Sequence, residues 1–161
     1  MANYLNRPSI FEIATAFEDG NNGYVSKQKE YEDVYNQLND KEKSLLWRHP
    51  FLAMKIKENR EKAFRATSHF DGIEDGYGDA VRHCYWCALN QKDAGLNSSR
   101  AKEFGDAHEN IPNNEAKTMD LHNNSVGYHL GNQAIINGWS EEELLNQVIN
   151  AANNGKLQIG L

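Results

Sequence analysis

Residues 79–90 read DAVRHCYWCALN, and residues 106–124 read DAHENIPNNEAKTMDLHNN. These two stretches hold His83, His108 and His122, half of the six histidines, together with both cysteines and a dense set of acids and amides. Imidazole and carboxylate are the groups that hold divalent cations and move protons. On a helix, residues three and four apart share a face, so Asp79 and His83 are neighbours, as are Arg82 and Trp86. A carboxylate on the second nitrogen of a histidine is common to metal ligands and general bases. Further on, Asp120 shares a face with Asn123, Asn124 and Gly127, whereas His122 and His129 point along another. His83, His108 and Asp120 are therefore read as ligands of one divalent cation, with a position left open for water. In that reading Glu109 moves protons, Asp79 orients His83 and Arg82 binds an anionic group. Trp86, Asn123 and Asn124 complete the substrate wall.

Each residue also has a structural alternative. Asp79 follows a glycine-rich loop and can be the N-cap of its helix. Arg82 can form an ion pair with Glu109 or Asp120. Trp86 is the kind of residue that fills cores, while His49 and His69 sit at expected helix ends. The C-x-x-C of Cys84 and Cys87 follows no strand, unlike a thioredoxin-type redox motif, and is read as two small buried residues. No H-E-x-x-H is present, because Asn110, Ile111 and Pro112 follow Glu109. Against a wholly structural role, Asn123-Asn124 in mid-helix competes with the backbone for hydrogen bonds. The set as a whole points to a site.

Helices are the elements that must carry these groups, since nearly every segment has helical rather than alternating periodicity. The fold class expected is all-α, one compact domain of six to seven helices over residues 1–161. Residues 1–39 form a helical extension and residues 40–161 the core. Pro8 and Ser9 open a first helix that ends at GNNG, residues 20–23. Ser26 caps a second, and Asn39 or Asp40 caps KEKSLLWR. His49-Pro50 breaks the chain before the helix over 51–70, and DGIEDGYG at 71–78 is a loop. Helices follow over 79–94, stopped by Gly95, over 98–110, and over 115–136. The last helix opens on a Ser140/Glu143 capping box.

Composition narrows the classes. With 161 residues, 39% of them hydrophobic, the chain is long and apolar enough for a real core. No run approaches the ~20 apolar residues that span a bilayer. The N-terminus lacks the basic and apolar regions of a signal peptide, so export is expected to be signal-independent or as part of a larger chain. A net charge of −6 argues against a broad nucleic-acid-binding face. The basic run KIKENREKAFR at 55–65 is read as a solvated helix face.

The motifs D-A-x-R-H-x-x-W at 79–86, A-H-E at 107–109 and M-D-x-x-N-N-x-x-G at 119–127 resemble a bacterial family of polymorphic-toxin C-terminal domains. Such domains occur in wall-associated and Rhs-type proteins, and the likeness extends over about residues 40 to 160. It marks Asp79, Arg82, His83, Trp86, His108, Glu109, Asp120, Asn123, Asn124 and Gly127 as the positions of interest, and leaves Cys84 and Cys87 outside the pattern. It also implies a secreted antibacterial effector, a carrier or delivery machinery, and a cognate immunity protein. Locally, FGDAHENIPNN and MDLHNN are similar to part of the zinc-dependent phospholipase C and P1 nuclease group. That likeness implies zinc and a phosphoester or phospholipid substrate. The chain lacks the N-terminal Trp ligand and the full histidine complement of that group, so one metal or none is expected rather than three. The expected function is a metal-assisted hydrolase. Two alternatives stand beside it: a peptidoglycan hydrolase using Glu109 and Asp120 without metal, and a non-enzymatic binding module with a structural polar core.

Overall fold

A computed structural model describes residues 35–36, 38–72, 76–95, 99–108 and 115–160. Among these there are six helices and no strand: α1 (Asp40–Arg48), α2 (Pro50–Thr67), α3 (Tyr77–Ala94), α4 (Arg100–His108), α5 (Glu115–Asn137) and α6 (Glu141–Asn153). The fold is all-α, as expected. The two helices expected before Asn39 lie outside the described residues, apart from Tyr35, Asn36 and Leu38.

Local chemistry sets most helix ends. Asn39 caps α1, its Oδ1 accepting from the Lys41 and Glu42 amides at 3.0 Å, while the Glu42 carboxylate accepts from the Asn39 amide at 2.8 Å. Pro50 opens α2, where its missing N–H costs nothing. Ser140 and Glu143 make the expected capping box of α6, and hydrogen bonds from the Ser140 amide and then its hydroxyl hold the Glu143 carboxyl below its usual range. The start of α3 differs from the sequence reading. The N-cap of α3 is Gly76, so Asp79 lies within the first turn instead of capping it. The Asp79 amide is spent on Gly72 O, at 3.0 Å, and Gly78 N bonds Asp71 O at 2.9 Å. A Cβ on Gly76 would stand 2.6 Å from Gly72 Cα, so only glycines allow this loop to fold so tightly onto α3.

The α3 helix is the centre of the molecule and packs against α2, α4, α5 and α6. Val81, Cys84, Cys87 and Ala88 are fully buried along it, and Tyr85, Trp86 and Leu89 nearly so. Its closest neighbour is α5. A Cβ on Gly127 would lie 2.3 Å from Cys84 O, and one on Gly131 would lie 2.4 Å from Ala88 O. Further along, Gln91 Nε2 donates to Asn132 Oδ1 at 3.0 Å. These contacts advance in the same direction along both helices, so α3 and α5 run parallel, and α4 lies in the crossover between them. The polar α6 start is tied down by Tyr85 OH to Glu141 O at 3.2 Å and by Lys62 to the Glu141 carboxylate at 2.6 Å.

Both cysteines are free and buried, and burial pushes the Cys84 thiol far above its usual pKa near 9. Burial also raises Tyr85, to about 12.

Two outcomes follow from this packing. In an exposed helix Gly→Ala gains about 1 kcal/mol of propensity, but at Gly127 or Gly131 the new methyl meets a backbone carbonyl that cannot turn aside. Gly127→Ala and Gly131→Ala should each lose about 2 kcal/mol net in urea unfolding. A thiol with a raised native pKa binds its proton more tightly folded than unfolded, so its contribution is complete below pH 9 and lost as pH rises above it. Thermal midpoints between pH 8 and 10 should therefore fall less steeply for Cys84→Ala than for the parent chain.

Candidate functional site

The close approach of α5 to α3 sets Asp120 opposite the first two turns of α3. His83 Nε2 stands 3.5 Å from Asp79 Oδ1 and 4.0 Å from Asp120 Oδ1. One ligand atom from each of Asp79, His83 and Asp120 lies within 4.8 Å of the other two, and all three side chains are largely buried. This group could hold a metal ion. Bonds of 2.0–2.2 Å in a tetrahedral site place ligand atoms roughly 3.3 Å apart, so the cluster needs only a small contraction. Among the described residues the ligands are two carboxylate oxygens and one imidazole nitrogen, which by themselves leave a fourth tetrahedral position open.

The sequence reading put His83, His108 and Asp120 together as ligands and gave Asp79 an orienting role. The geometry exchanges the parts. Asp79 joins the cluster directly, while His108 stands apart from it, its ring centroid 6.2 Å from that of His83. The His108 imidazole is held by another acid: Nδ1 lies 2.8 Å from Glu42 Oε1. The other Glu42 oxygen closes the α1 capping box, and Asn39 Nδ2 donates to Ala107 O at 2.7 Å. The start of α1 and the end of α4 are thus stapled together, with His108 fixed between them.

Arg82 pairs with the Asp79 carboxylate, and its guanidinium lies 4.6 Å from the centroid of the Phe64 ring. Among the described residues the cluster's two acids stand with the Arg82 guanidinium beside one of them. Trp86 is a core residue whose indole donates to Ile56 O at 3.1 Å, yet one edge also faces His108, at 5.1 Å between centroids.

A cleft of about 140 Å³ reaches His83 of this group and is lined besides by Arg60, Ala63, Phe64, Arg82, Trp86 and His108. The run at 55–65 is thus divided. Lys55, Glu58 and Lys62 form the expected solvated ion pairs, and these cations hold the Glu58 carboxyl below its usual range. Arg60 and Phe64 turn instead towards the cleft.

The two asparagines do not line it. Asn123 donates from Nδ2 to Gln158 O and accepts at Oδ1 from Gln158 N, both at 2.9 Å, so it clamps the chain after α6. Asn124 is fully buried. His122 bonds Lys156 O at 2.9 Å, well away from the cluster. Glu109 lies outside the described residues. Sequence reasoning missed Glu42, Arg60 and Phe64. Glu42 carried a visible capping-box signal, but nothing local announces that its second oxygen serves a histidine 66 positions away.

Residues 43–156 match the family model described as Domain of unknown function (DUF6973). The chain belongs to that family. No curated protein and no solved structure matches it. The match to the DUF6973 domain starts just after Glu42 and includes Asp79, His83, His108 and Asp120, and so the whole candidate cluster.

Asn123→Ala should cost about 1–3 kcal/mol by leaving the Gln158 backbone groups without their partner. Limited proteolysis should then cut after α6, while metal content stays that of the parent chain. A loss of metal with an intact tail would place Asn123 in the site instead.

Proposed function

We propose that this chain is a metal-assisted hydrolase of phosphoesters, and that it serves as a secreted antibacterial effector. The observation that carries the chemistry is the Asp79–His83–Asp120 cluster, whose His83 lines a cleft together with His108 and two arginines. A divalent ion bound there, zinc by its taste for mixed nitrogen and oxygen donors, supplies Lewis acidity and makes water acidic enough to react near neutral pH. His108, oriented by Glu42 through Nδ1, keeps Nε2 for moving a proton to or from the reacting group. Arg60 and Arg82 neutralise the phosphate, and the Trp86 edge closes one wall.

The effector role rests on the motif resemblance, as do a cognate immunity protein and a carrier or delivery machinery. An acidic chain of net charge −6 favours an immunity protein with a basic face. No helix among the described residues is long and apolar enough to cross a membrane.

One observation favours a second reading. The Arg82–Asp79 pair already compensates one acid of the cluster, as in a buried network that only fixes helices. The cell-wall hydrolase alternative rests on Glu109 with Asp120.

Elemental analysis separates these. Under the hydrolase reading the purified chain binds one equivalent of zinc, lost in Asp79→Asn, His83→Ala and Asp120→Asn. His108→Ala should keep the metal and lose roughly a hundred- to ten-thousand-fold in phosphodiester hydrolysis. Lowered thermal midpoints in these variants, with no metal in the parent chain, would favour the structural network. Lytic activity on cell walls that survives a chelator would favour the peptidoglycan hydrolase.

A further inference from the structure

The reactive cleft has a second compartment on its far side. It is an apolar cavity of about 80 Å³ whose walls include Leu46, Met54, Ile56 and Phe104, and it shares Arg60, Trp86 and His108 with the polar cleft. Its walls come from α1, α2, α3 and α4 together with Tyr35 and Leu38 ahead of α1, so it is a built part of the fold rather than a surface dimple. Polar and apolar compartments therefore meet at one guanidinium and one imidazole.

Arg60 stands at that boundary. It is half-buried, and among the described residues it forms no ion pair, its guanidinium resting 5.5 Å from the centroid of Phe64. Partial burial weakens the hydration of a permanent cation, and an anion placed against it restores the balance. Of the neighbouring cations Arg82 is paired with Asp79 and Lys57 with Glu61, so Arg60 is the guanidinium at the mouth of the cleft to which an anion from outside can bind. A ligand that satisfies both compartments is anionic at one end and apolar at the other, with the two ends directly joined.

We infer that the substrate is a phosphoester bearing a short apolar group: its phosphate lies against Arg60, and its alkyl portion enters the Leu46–Ile56–Phe104 cavity. This rests on the phosphoester reading and narrows it. A cavity of 150 Å³ accommodates benzene, so one of about 80 Å³ holds an alkyl group of only a few carbons.

Calorimetric binding of a series from methyl to octyl phosphate to the full chain tests this. Affinity should rise roughly fourfold per methylene for the first few carbons, the increment expected for burying each CH₂, and then level off. Met54→Trp, which fills the cavity from its half-buried wall, should flatten the series and leave methyl phosphate binding unchanged. Met54→Ala should move the plateau to longer chains, and Arg60→Gln should weaken every member equally. If methyl phosphate binds but chain length has no effect, or the gain survives Met54→Trp, the amphipathic substrate is wrong while the phosphoester reading stands. Butyl carboxylate binding as tightly as butyl phosphate would also overturn the inference. If no member binds and none is hydrolysed, both readings fall together.

Discussion

The molecule depends on two helices touching backbone to backbone. With any side chain at Gly127 or Gly131, α5 would stand off from the carbonyls of Cys84 and Ala88. Cys84, Cys87 and Ala88 on the opposing face are small for the same reason. Because the two helices run parallel, this close seam extends back towards the start of α3. There Asp120 meets Asp79 and His83. An antiparallel pair with the same spacing would have placed Asp120 at the other end of α3. The acid–imidazole cluster is a consequence of how tightly and in which direction two helices are joined.

Around that seam the remaining elements act as supports of different kinds. The Gly72–Gly76 loop anchors the Asp79 amide, and the first turn of α3 is where a carboxylate gains most from the helix dipole. The α1 capping box lends one carboxylate oxygen to His108 and an amide to the end of α4. The Asn123 clamp holds the tail over the outer side of α5, where His122 adds a second tie through Lys156 O. Polar residues far apart in the chain thus divide into those that reach the cleft and those that hold the helices which form it. Arg82 does both, compensating Asp79 while flanking the cleft beside Phe64.

Electrostatics and packing meet in the same place. The chain is acidic overall, yet Arg60 and Arg82 converge on one opening. Burial holds the Cys84 thiol protonated, and the small Cys87 side chain lets α5 approach, since a Cβ on Gly127 would lie 2.9 Å from Cys87 Cβ. The C-x-x-C that looked like chemistry is geometry, whereas Asn39, which looked like a simple cap, reaches across to the last turn of α4.

By itself the sequence determined the helices, because periodicity, caps and breakers act over a few residues and need no tertiary partner. Asn39, Pro50, Gly95, Ser140 and Glu143 all show their roles within four positions. It also marked Asp79–His83 as a pair, since an i,i+4 spacing is a local distance. Tertiary structure decided which groups from different helices meet. A histidine at 108 carries no local sign of choosing Glu42 over Asp120, and Arg60 none of facing a cleft while Lys55 and Lys62 face water. Such choices rest on helix direction, crossing and register, which two glycine-to-carbonyl contacts impose and no short window of sequence encodes.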